Sequence, residues 1–229
     1  MKSFTSTSRR RSGQTRFTVP RKISESTVRR ISLYLRTLEA LEAEGQETVS
    51  SEELAQRGAT TAAQVRKDLS LFGSFGKRGL GYEVSDLAGR LREILGLARP
   101  WRVALVGAGR LGSALYEYEG FARRGFEIVT VVDADPAKVG TRWGGVLVRP
   151  EGELVEALRE HAVEIAILAV PGEVAQEIAE RVVEAGVRGI LNFAPVHLRV
   201  PDEVAVKDVS LVVELEALSF TLSHEGPEA

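Results

Sequence analysis

The fold is decided by the stretch Val103-Ala104-Leu105-Val106-Gly107-Ala108-Gly109-Arg110-Leu111-Gly112. An apolar run is followed there by a G-x-G-x-x-G pattern, which predicts a strand, a tight turn and the start of a helix. Such a turn needs glycine where the backbone bends sharply and where it comes close to a pyrophosphate, toward which the first N–H groups of the helix point. The stretch therefore predicts a dinucleotide-binding βαβ unit. The alternative is a glycine turn that holds no ligand.

Strand-like and helix-like patterns alternate from this stretch onward. Predicted strands cover residues 103–106, 128–132, 165–170 and 189–193, and predicted helices cover 111–124, 154–161 and 174–184. Short apolar strands separated by helices predict an α/β domain of the Rossmann type, with a doubly wound parallel sheet covered on both faces. An extended stretch over 204–213 and an apolar helix over 214–222 follow. That helix must bury its surface in its own domain or in a partner subunit.

Three strand ends border the crevice in which such sheets bind their ligands. Asp133 closes the second predicted strand, where its carboxylate would accept hydrogen bonds from the adenosine ribose hydroxyls. Ala134 and Asp135 follow it, so a 2′-phosphate would meet two carboxylates and little positive charge, which favours NADH and NAD+ over their phosphorylated counterparts. Pro171 and Pro195 shape the other two ends or are ordinary loop residues. The predicted cofactor-binding residues are Gly107, Gly109, Arg110, Leu111, Gly112, Asp133, Ala169, Val170, Pro171, Asn192, Phe193 and Ala194.

The overall composition is that of a globular protein. The chain has 229 residues, of which 44% are hydrophobic and 27% charged, and it has no cysteine. Disulfides and cysteine-based zinc sites are therefore excluded, and no metal site is predicted. No apolar run is long enough for a membrane span or a signal peptide, so the expected location is the cytoplasm and no membrane partner is expected.

The net charge of −2 conceals an uneven distribution: residues 1–100 carry +7 and residues 101–229 carry −9. A basic half joined to an acidic half indicates that the first part faces a polyanion, although an uneven surface charge alone is the alternative. Residues 1–22 are rich in Ser, Thr and Arg and lack periodicity, which predicts a disordered basic tail. The tail either adds phosphate contacts or has no role.

A helix-turn-helix is predicted after the tail. The apolar face of the first predicted helix, over 26–45, comprises Val28, Ile31, Leu35, Leu38 and Leu41. Capping boxes at 50–53 and 61–64 then open a short helix and a helix that ends near Phe72. Three helices with short links, the last two forming a pair, are typical of this motif.

Glycines punctuate residues 73–82, which predicts a hairpin with its tip at Lys77-Arg78-Gly79 and hence a winged helix. A linking helix is predicted over 84–97, and Pro100 marks the domain boundary. The predicted parts of the chain are the tail 1–22, the winged-helix DNA-binding domain 23–99, the Rossmann domain 100–210, and the C-terminal helix and tail 211–229.

The third predicted helix has the faces that a major-groove reader needs. Its inner face is formed by Ala62, Val65, Leu69 and Phe72, and its outer face by Ala63, Arg66, Lys67 and Ser70. Arg66 binds either a guanine or a phosphate, and Lys67 a phosphate. The alternative is the charged surface of a small interaction domain. The predicted DNA-binding residues are Gln64, Arg66, Lys67, Ser70, Lys77 and Arg78.

No catalytic residue is predicted beside the dinucleotide. A dehydrogenase needs a general acid or base there, and the candidates are few. His161 lies at a helix end, His224 is near the terminus, and His197 after a loop is more typical of a surface residue. The dinucleotide is thus expected to be a signal rather than a reagent, with an NAD-dependent oxidoreductase carrying an accessory helical domain as the alternative.

Four segments together resemble the family of redox-sensing transcriptional repressors named Rex. They are Gln64-Val65-Arg66-Lys67-Asp68-Leu69-Ser70, the stretch from Phe72 to Tyr82, the glycine turn Gly107–Gly112, and Leu191-Asn192-Phe193-Ala194-Pro195. The resemblance covers about 23–222. It implies a homodimer that binds a palindromic double-stranded DNA operator and exchanges its C-terminal helix. It also implies that NADH releases the DNA while NAD+ allows or favours binding.

The resemblance also implies a switch made of a tyrosine, an arginine and an aspartate. Tyr118 and Arg36 stand at the matching places, although Tyr118 is alternatively an ordinary helix-cap residue. Ser210 occupies the position that matches the aspartate, and Asp208 lies two residues earlier. The ion pair of the family therefore does not carry over directly.

Overall fold

The computed structural model describes residues 23–76 and 80–224, which divide into two compact units between Ala98 and Arg99. The helices of the first unit are α1 (Glu25–Ala43), α2 (Ser51–Arg57), α3 (Ala62–Ser70) and α4 (Val84–Ile94), and its strands are β1 (Thr48–Val49) and β2 (Tyr82–Glu83). The prediction of a helix-turn-helix is confirmed by α2 and α3. The tail 1–22 and the wing tip Lys77-Arg78-Gly79 lie outside the described residues.

Side-chain caps define where these helices begin. Ser24, Ser50 and Thr61 each accept a hydrogen bond from the backbone N–H three residues later, which satisfies a donor that the first helical turn leaves free. In a capping box the side chain three residues after the cap also bonds back to the backbone N–H of the cap residue. In both predicted boxes that side chain has another partner instead. The side chain of Glu53 accepts from Gln46, and that of Gln64 donates to Asp68.

The core of the first unit is formed largely by the predicted apolar face of α1. Ile31, Leu35, Leu38 and Leu41 are buried together with Tyr34. Val28 is exposed, contrary to the prediction, because Thr27 takes the buried position in the first turn of the helix. Within the predicted hairpin 73–82, β2 pairs antiparallel with β1, the strand that precedes α2, while the tip at 77–79 lies outside the described residues.

The second unit contains a sheet in the order β5-β6-β4-β3-β7-β8-β9, in which only β5 is antiparallel to its neighbour. Its strands are β3 (Trp101–Val106), β4 (Phe126–Asp133), β5 (Arg142–Trp143), β6 (Val146–Pro150), β7 (Ile165–Leu168), β8 (Gly189–Asn192) and β9 (Ala205–Asp208). Its α-helices are α5 (Arg110–Tyr116), α6 (Glu119–Arg123), α7 (Leu154–Glu160), α8 (Gly172–Glu184) and α9 (Leu211–His224), and a 3-10 turn spans Glu151–Glu153. The prediction of a Rossmann-type parallel sheet is confirmed.

One predicted helix has different bounds, and two strands were not predicted. The helix expected over 111–124 is split into α5 and α6, with Tyr118 at the break as the N-cap residue of α6. The sequence reading missed β5 and β6, which add an edge to the sheet.

The two faces of the sheet are covered unequally. On one face α7 and α8 pack on a continuous apolar cluster. On the other face α5 and α6 contribute to a smaller cluster, beside which an apolar groove of about 300 Å³ runs along β3, β7 and β8. The expectation of helices on both faces is therefore only partly met on this side.

The C-terminal helix α9 begins at Leu211, three residues before the predicted start. Ser210 caps it, because its hydroxyl accepts a hydrogen bond from the N–H of Val213 at 3.3 Å. No residue of α9 is buried, and its large apolar side chains are 54–70% exposed: Leu211, Val212, Val213, Leu215, Leu218, Phe220 and Leu222. Within residues 23–76 and 80–224, no helix has the length and apolar character needed to cross a membrane.

Candidate functional site

The backbone requires two of the three glycines of the fingerprint, and the third stands beside open space. Gly107 has a φ of +100°, and a Cβ atom there would overlap the carbonyl of Ala169 on the neighbouring strand end. A Cβ atom on Gly112 would overlap the carbonyl oxygen of Gly107, so this glycine lets α5 pack on the turn. A Cβ atom on Gly109 would meet nothing within 4 Å. Gly109 thus leaves open space where a pyrophosphate would approach the backbone.

The glycine turn borders a cavity of about 570 Å³ at the carboxyl ends of β3, β4 and β7. The first N–H groups of α5 have no partner within the helix and are suited to an anion there. The predicted residues that line this cavity are Gly107, Gly109, Arg110, Leu111, Asp133, Ala169, Val170 and Pro171. The sequence reading missed other lining residues, among them Lys138 and Glu151.

Asp133 is fixed in place at the end of β4. Its carboxylate accepts hydrogen bonds from the N–H groups of Ala108 at 2.5 Å and Asp135 at 2.7 Å, and its side chain is only 10% exposed. The first of these bonds ties the carboxylate to the glycine turn itself. A rigid acceptor at this edge fits the hydroxyl groups of an adenosine ribose.

The expectation of little positive charge near Asp133 is wrong. Lys138 lies 3.4 Å from the carboxylate of Asp133 and 3.5 Å from that of Asp135, because the loop after β4 folds back over five residues. Its ammonium group is shared between the two carboxylates. Counting formal charges, this corner of the cavity still carries more negative than positive charge, which disfavours a 2′-phosphate.

The structure does not bring Asn192, Phe193 and Ala194 to this cavity, because β7 lies between β8 and β3. Asn192 is fully buried, and its amide donates to Val196 and Asp208 while its oxygen accepts from the N–H of Ala194. The asparagine therefore holds the loop after β8 and joins it to the end of β9. Phe193 packs against the smaller apolar cluster of the sheet.

Asp208 also faces His197, whose Nδ1 lies 3.0 Å from the carboxylate and whose side chain is exposed. The residues that line the glycine cavity do not include His197. No group of three or more potential metal ligands is found in the part of the chain that the structure describes.

The predicted outer face of α3 is exposed. Arg66 forms an ion pair with Glu52 of α2 at 3.0 Å, while Ala63 and Lys67 point outward and the hydroxyl of Ser70 donates to the carbonyl of Lys67. The exposed cations of this helix are available to a polyanion, and Glu52 competes with it for Arg66.

The sequence reading missed a buried network beneath α3. Asp68 is 1% exposed and accepts hydrogen bonds from Arg30, Tyr34 and Gln64. A signal was present, since Asp68 falls on the inner face of the helix between Val65 and Leu69. A charged residue at an apolar-face position requires partners that compensate its burial.

The network shifts the pKa values of its members. Burial raises the pKa of the Asp68 carboxyl. The hydrogen bonds from Arg30, Gln64 and Tyr34 and the charge of Arg30 together lower this pKa by more than burial raises it, so the net pKa lies below its ordinary value. Burial, followed by the hydrogen bond to Asp68, raises the pKa of Tyr34 to about 12. Asp68 is therefore ionised and Tyr34 protonated at neutral pH.

The residues expected in a switch lie in different units. Arg36 is exposed on α1. Tyr118 is exposed in the second unit, where its ring stands edge-on to that of Phe121 at 5.2 Å. Ser210 caps α9, so Asp208 is the carboxylate at this end of β9.

Two family models match the chain in succession. The model for a putative DNA-binding protein N-terminus matches residues 22–70, and the model for a CoA binding domain matches residues 98–196. The first contains α1 to α3, and the second contains the glycine turn and most of the parallel sheet.

Relatives match over nearly the whole chain. The chain is 51% identical to a redox-sensing transcriptional repressor Rex of Carboxydothermus hydrogenoformans, over 89% of this chain and 98% of the relative. It is 49% identical to one of Desulforamulus reducens, over 88% of this chain and 96% of the relative. Both are named as repressors, which argues against the alternative of an oxidoreductase.

Solved structures agree with this assignment. The structure of RSP in complex with beta-NAD+ and operator DNA has a TM-score of 0.86 and 35% identity, and it covers 90% of this chain and 95% of RSP. RSP in complex with beta-NADH has a TM-score of 0.80 and 34% identity, over 89% of this chain and 95% of RSP. RSP alone is described as a Rex-family repressor. This chain belongs to the Rex family of redox-sensing transcriptional repressors, which are not enzymes.

Proposed function

We propose that this protein binds operator DNA as a homodimer and is released from it by NADH. The observation that carries the proposal is the union in one chain of the glycine cavity, with Asp133 fixed at its edge, and a helix-turn-helix with an exposed basic face. The RSP complexes with NAD+ plus operator DNA and with NADH support it. The protein thus reports the ratio of NADH to NAD+ to transcription, in the cytoplasm, where operator DNA and the cofactor pool meet.

The glycine cavity is the proposed NAD(H) site. The backbone of the glycine turn and the first N–H groups of α5 hold the pyrophosphate, and Asp133 accepts hydrogen bonds from the adenosine ribose. Lys138 orients that carboxylate. Ala169, Val170 and Pro171 form the wall at the end of β7. The dinucleotide acts as an effector, and no residue is assigned a role in converting it.

The outer face of α3 is the proposed DNA interface. Arg66 and Gln64 read base edges and Lys67 and Ser70 contact phosphates, while Lys77 and Arg78 are assigned to the backbone or minor groove from the sequence alone. Binding replaces the exposed ion pair between Arg66 and Glu52 with contacts to DNA. Residues 23–99 are assigned to this domain, and residues 100–210 to the dinucleotide domain.

The helix α9 is proposed to be exchanged between two subunits. It carries apolar side chains on all sides and buries none of them in its own chain, which is the pattern of a helix that is surrounded in its assembled state. Residues of β3, α6, β4, β7 and β8 supply an apolar groove that fits such a helix, formed by Val103, Phe121, Phe126, Ile128, Ile167 and Leu191. Burial of each large side chain contributes about 1.5–3 kcal/mol, so a swapped pair of helices stabilises a dimer strongly.

The switch is proposed to use Arg36, Tyr118 and Asp208. Ser210 is already used as a helix cap, whereas Asp208 offers a carboxylate at the end of β9, two residues before α9. NADH must bind the arrangement that excludes DNA more tightly than the other arrangement, since a ligand shifts an equilibrium only by its differential affinity. A coupling free energy of about 1–3 kcal/mol would change operator affinity roughly 5- to 150-fold.

The proposal is tested by titrating the purified protein with inverted-repeat duplexes selected from a random library, in the presence of NADH or NAD+. We expect tight binding with NAD+ and at least about five-fold weaker binding with NADH. Equal affinity with both cofactors, or no duplex selected at all, would overturn the proposed function.

A further inference from the structure

We propose that Asp68 is a positioning residue that sets the orientation of the Gln64 amide, and thereby makes one operator position selective for a base that carries an amino group in the major groove. The inference rests on the proposed function, because it takes α3 as the element that reads DNA. It adds to that function a determinant of base specificity that lies inside the protein and does not touch DNA.

Asp68 presents only acceptor atoms to its neighbours. Its side chain is almost fully buried and receives Arg30 Nε at 2.6 Å, Arg30 Nη2 at 2.8 Å, the Tyr34 hydroxyl at 3.0 Å and Gln64 Nε2 at 2.7 Å. An ionised carboxylate has only acceptor sites, about four of them. The four donors fill these sites, and the charge of Arg30 keeps the carboxyl ionised.

Asp68 fixes the orientation of the Gln64 amide. Since Asp68 Oδ1 is an acceptor, only the NH₂ end of the Gln64 amide can face it, and the short distance of 2.7 Å marks a charge-assisted bond. Turning the amide over would place its oxygen against the carboxylate and leave a buried acceptor without its donor, which is costly. The oxygen Oε1 of Gln64 therefore lies on the side of the amide away from Asp68.

Gln64 stands at the edge of the outer face of α3. Gln64 is half-buried on α3, one turn before Asp68 and next to the exposed Lys67 on the helix surface. The NH₂ end of its amide meets the network, and the side chain borders that of Lys67, three residues later on the helix surface. The amide thus links the buried network to the surface that reads DNA.

The major groove offers either a donor or an acceptor to the Gln64 oxygen, depending on the base. Adenine N6 and cytosine N4 are donors in the major groove, whereas guanine O6 and N7 and thymine O4 are acceptors. An outward Oε1 accepts from adenine or cytosine and faces an acceptor on guanine or thymine. The second hydrogen of Nε2 remains for adenine N7, so adenine is the preferred base. The discrimination expected for one good contact is roughly 5- to 150-fold.

The experiment measures base preference at every position of the selected operator, with a set of duplexes that differ by single base pairs. The full-length wild type, Q64A, D68N and Y34F are compared by competition binding. The wild type is expected to prefer an amino-bearing base at one position of each half-site by at least five-fold, and Q64A to lose this preference at that position alone.

D68N is the decisive variant. Asparagine has one side-chain oxygen, and Arg30 donates to it. The NH₂ group of the asparagine therefore faces Gln64, and the glutamine amide turns over to present its oxygen to that group. The preference for an amino-bearing base is then expected to disappear or to change toward guanine or thymine at the same position, with all other positions unchanged. Y34F is the matched control: it removes one hydrogen bond to Asp68 but leaves the Gln64 bond in place, so it keeps the preference.

Other outcomes separate the inference from its premise. A purely structural role of Asp68 predicts that D68N weakens binding to every duplex without changing any preference, and that result would overturn the inference. If D68N does not fold, Q64E decides: a carboxylate at position 64 is repelled by Asp68 and cannot be held by it, so the preference for an amino-bearing base is lost if the inference is correct, whereas a retained preference overturns the positioning role of Asp68. A wild type that binds no duplex overturns the proposed function itself.

Discussion

At the scale of single residues, Asp133 shows how one carboxylate serves both the fold and the proposed ligand. It ties the end of β4 to the glycine turn through Ala108 and is held in turn by Lys138. The same oxygen atoms stand at the edge of the cavity, where an adenosine ribose would sit. The residue therefore supports the turn in the free protein and is proposed to supply the ribose contact to a bound dinucleotide.

Asp133→Ala is expected to lower NADH affinity about 10- to 100-fold, because hydrogen bonds that involve a charged group contribute about 1.5–3 kcal/mol. Isothermal titration with NADH measures this loss. Operator affinity without cofactor is expected to stay within about three-fold of the wild type, since α3 belongs to the other unit. Asp202→Ala, at an exposed position before β9, serves as control. Loss of operator binding in the Asp133 variant would contradict the separation of the two tasks.

Tyr34 gives a second prediction at the residue scale, for alkaline pH. Its pKa is about 12 in the folded chain and 10.0 ordinarily. A raised pKa contributes stability that is complete below pH 10 and is lost as the pH rises toward 12. The wild type should therefore lose up to roughly 3 kcal/mol relative to Tyr34→Phe across this window. Urea unfolding of the full chain, followed by circular dichroism, measures the difference, and parallel curves for the two proteins would refute it.

At the scale of elements, α2 restrains the cation that α3 is proposed to present to DNA. Arg66 on α3 is bound by Glu52 on α2, and both side chains are more than half exposed. An exposed ion pair of this kind is worth about 0.2–1 kcal/mol. In the proposed DNA complex the pair would be broken at little cost, and Glu52 would slightly weaken binding.

Two substitutions test this arrangement in opposite directions. Arg66→Ala is expected to weaken operator binding by about 5- to 150-fold, while NADH affinity is unchanged. Glu52→Gln is expected to strengthen operator binding by up to about five-fold at low salt. Electrophoretic mobility shifts at two salt concentrations measure both effects. Glu47→Gln, which neutralises an acidic residue before β1, is the control for charge alone. Wild-type affinity in Arg66→Ala would remove this residue from the proposed interface.

At the scale of the whole molecule, α9 determines the proposed assembly. Leu218→Glu places a carboxylate where the proposed dimer buries an apolar side chain, which costs several kcal/mol in each of two symmetric contacts. We expect a monomer by sedimentation equilibrium and a large loss of operator affinity, since two half-sites no longer bind together. Glu216→Gln on the same helix is the control and should remain dimeric. A dimeric Leu218→Glu protein would exclude α9 as the dimer contact.

The sequence by itself determined the local elements and their order. The spacing of glycines in Gly107–Gly112, the caps at Ser50 and Thr61 and the alternation of apolar runs all act over a few residues, so the sequence specifies them directly. The helix-turn-helix and the parallel sheet followed from these signals. The break at Tyr118 and the strands β5 and β6 did not, because short elements carry too few periodic residues to be recognised.

Only the tertiary structure decided which distant side chains meet. Asp68 acquires its partner Arg30 across 38 residues, Asp133 accepts from the N–H of Ala108 across 25, and β7 separates Asn192 from the glycine cavity. These outcomes depend on strand order and helix packing, which place residues together that no short sequence window contains. The cavity, the buried network and the exposure of the apolar side chains of α9 are therefore properties of the folded chain, while the elements that build them are properties of the sequence.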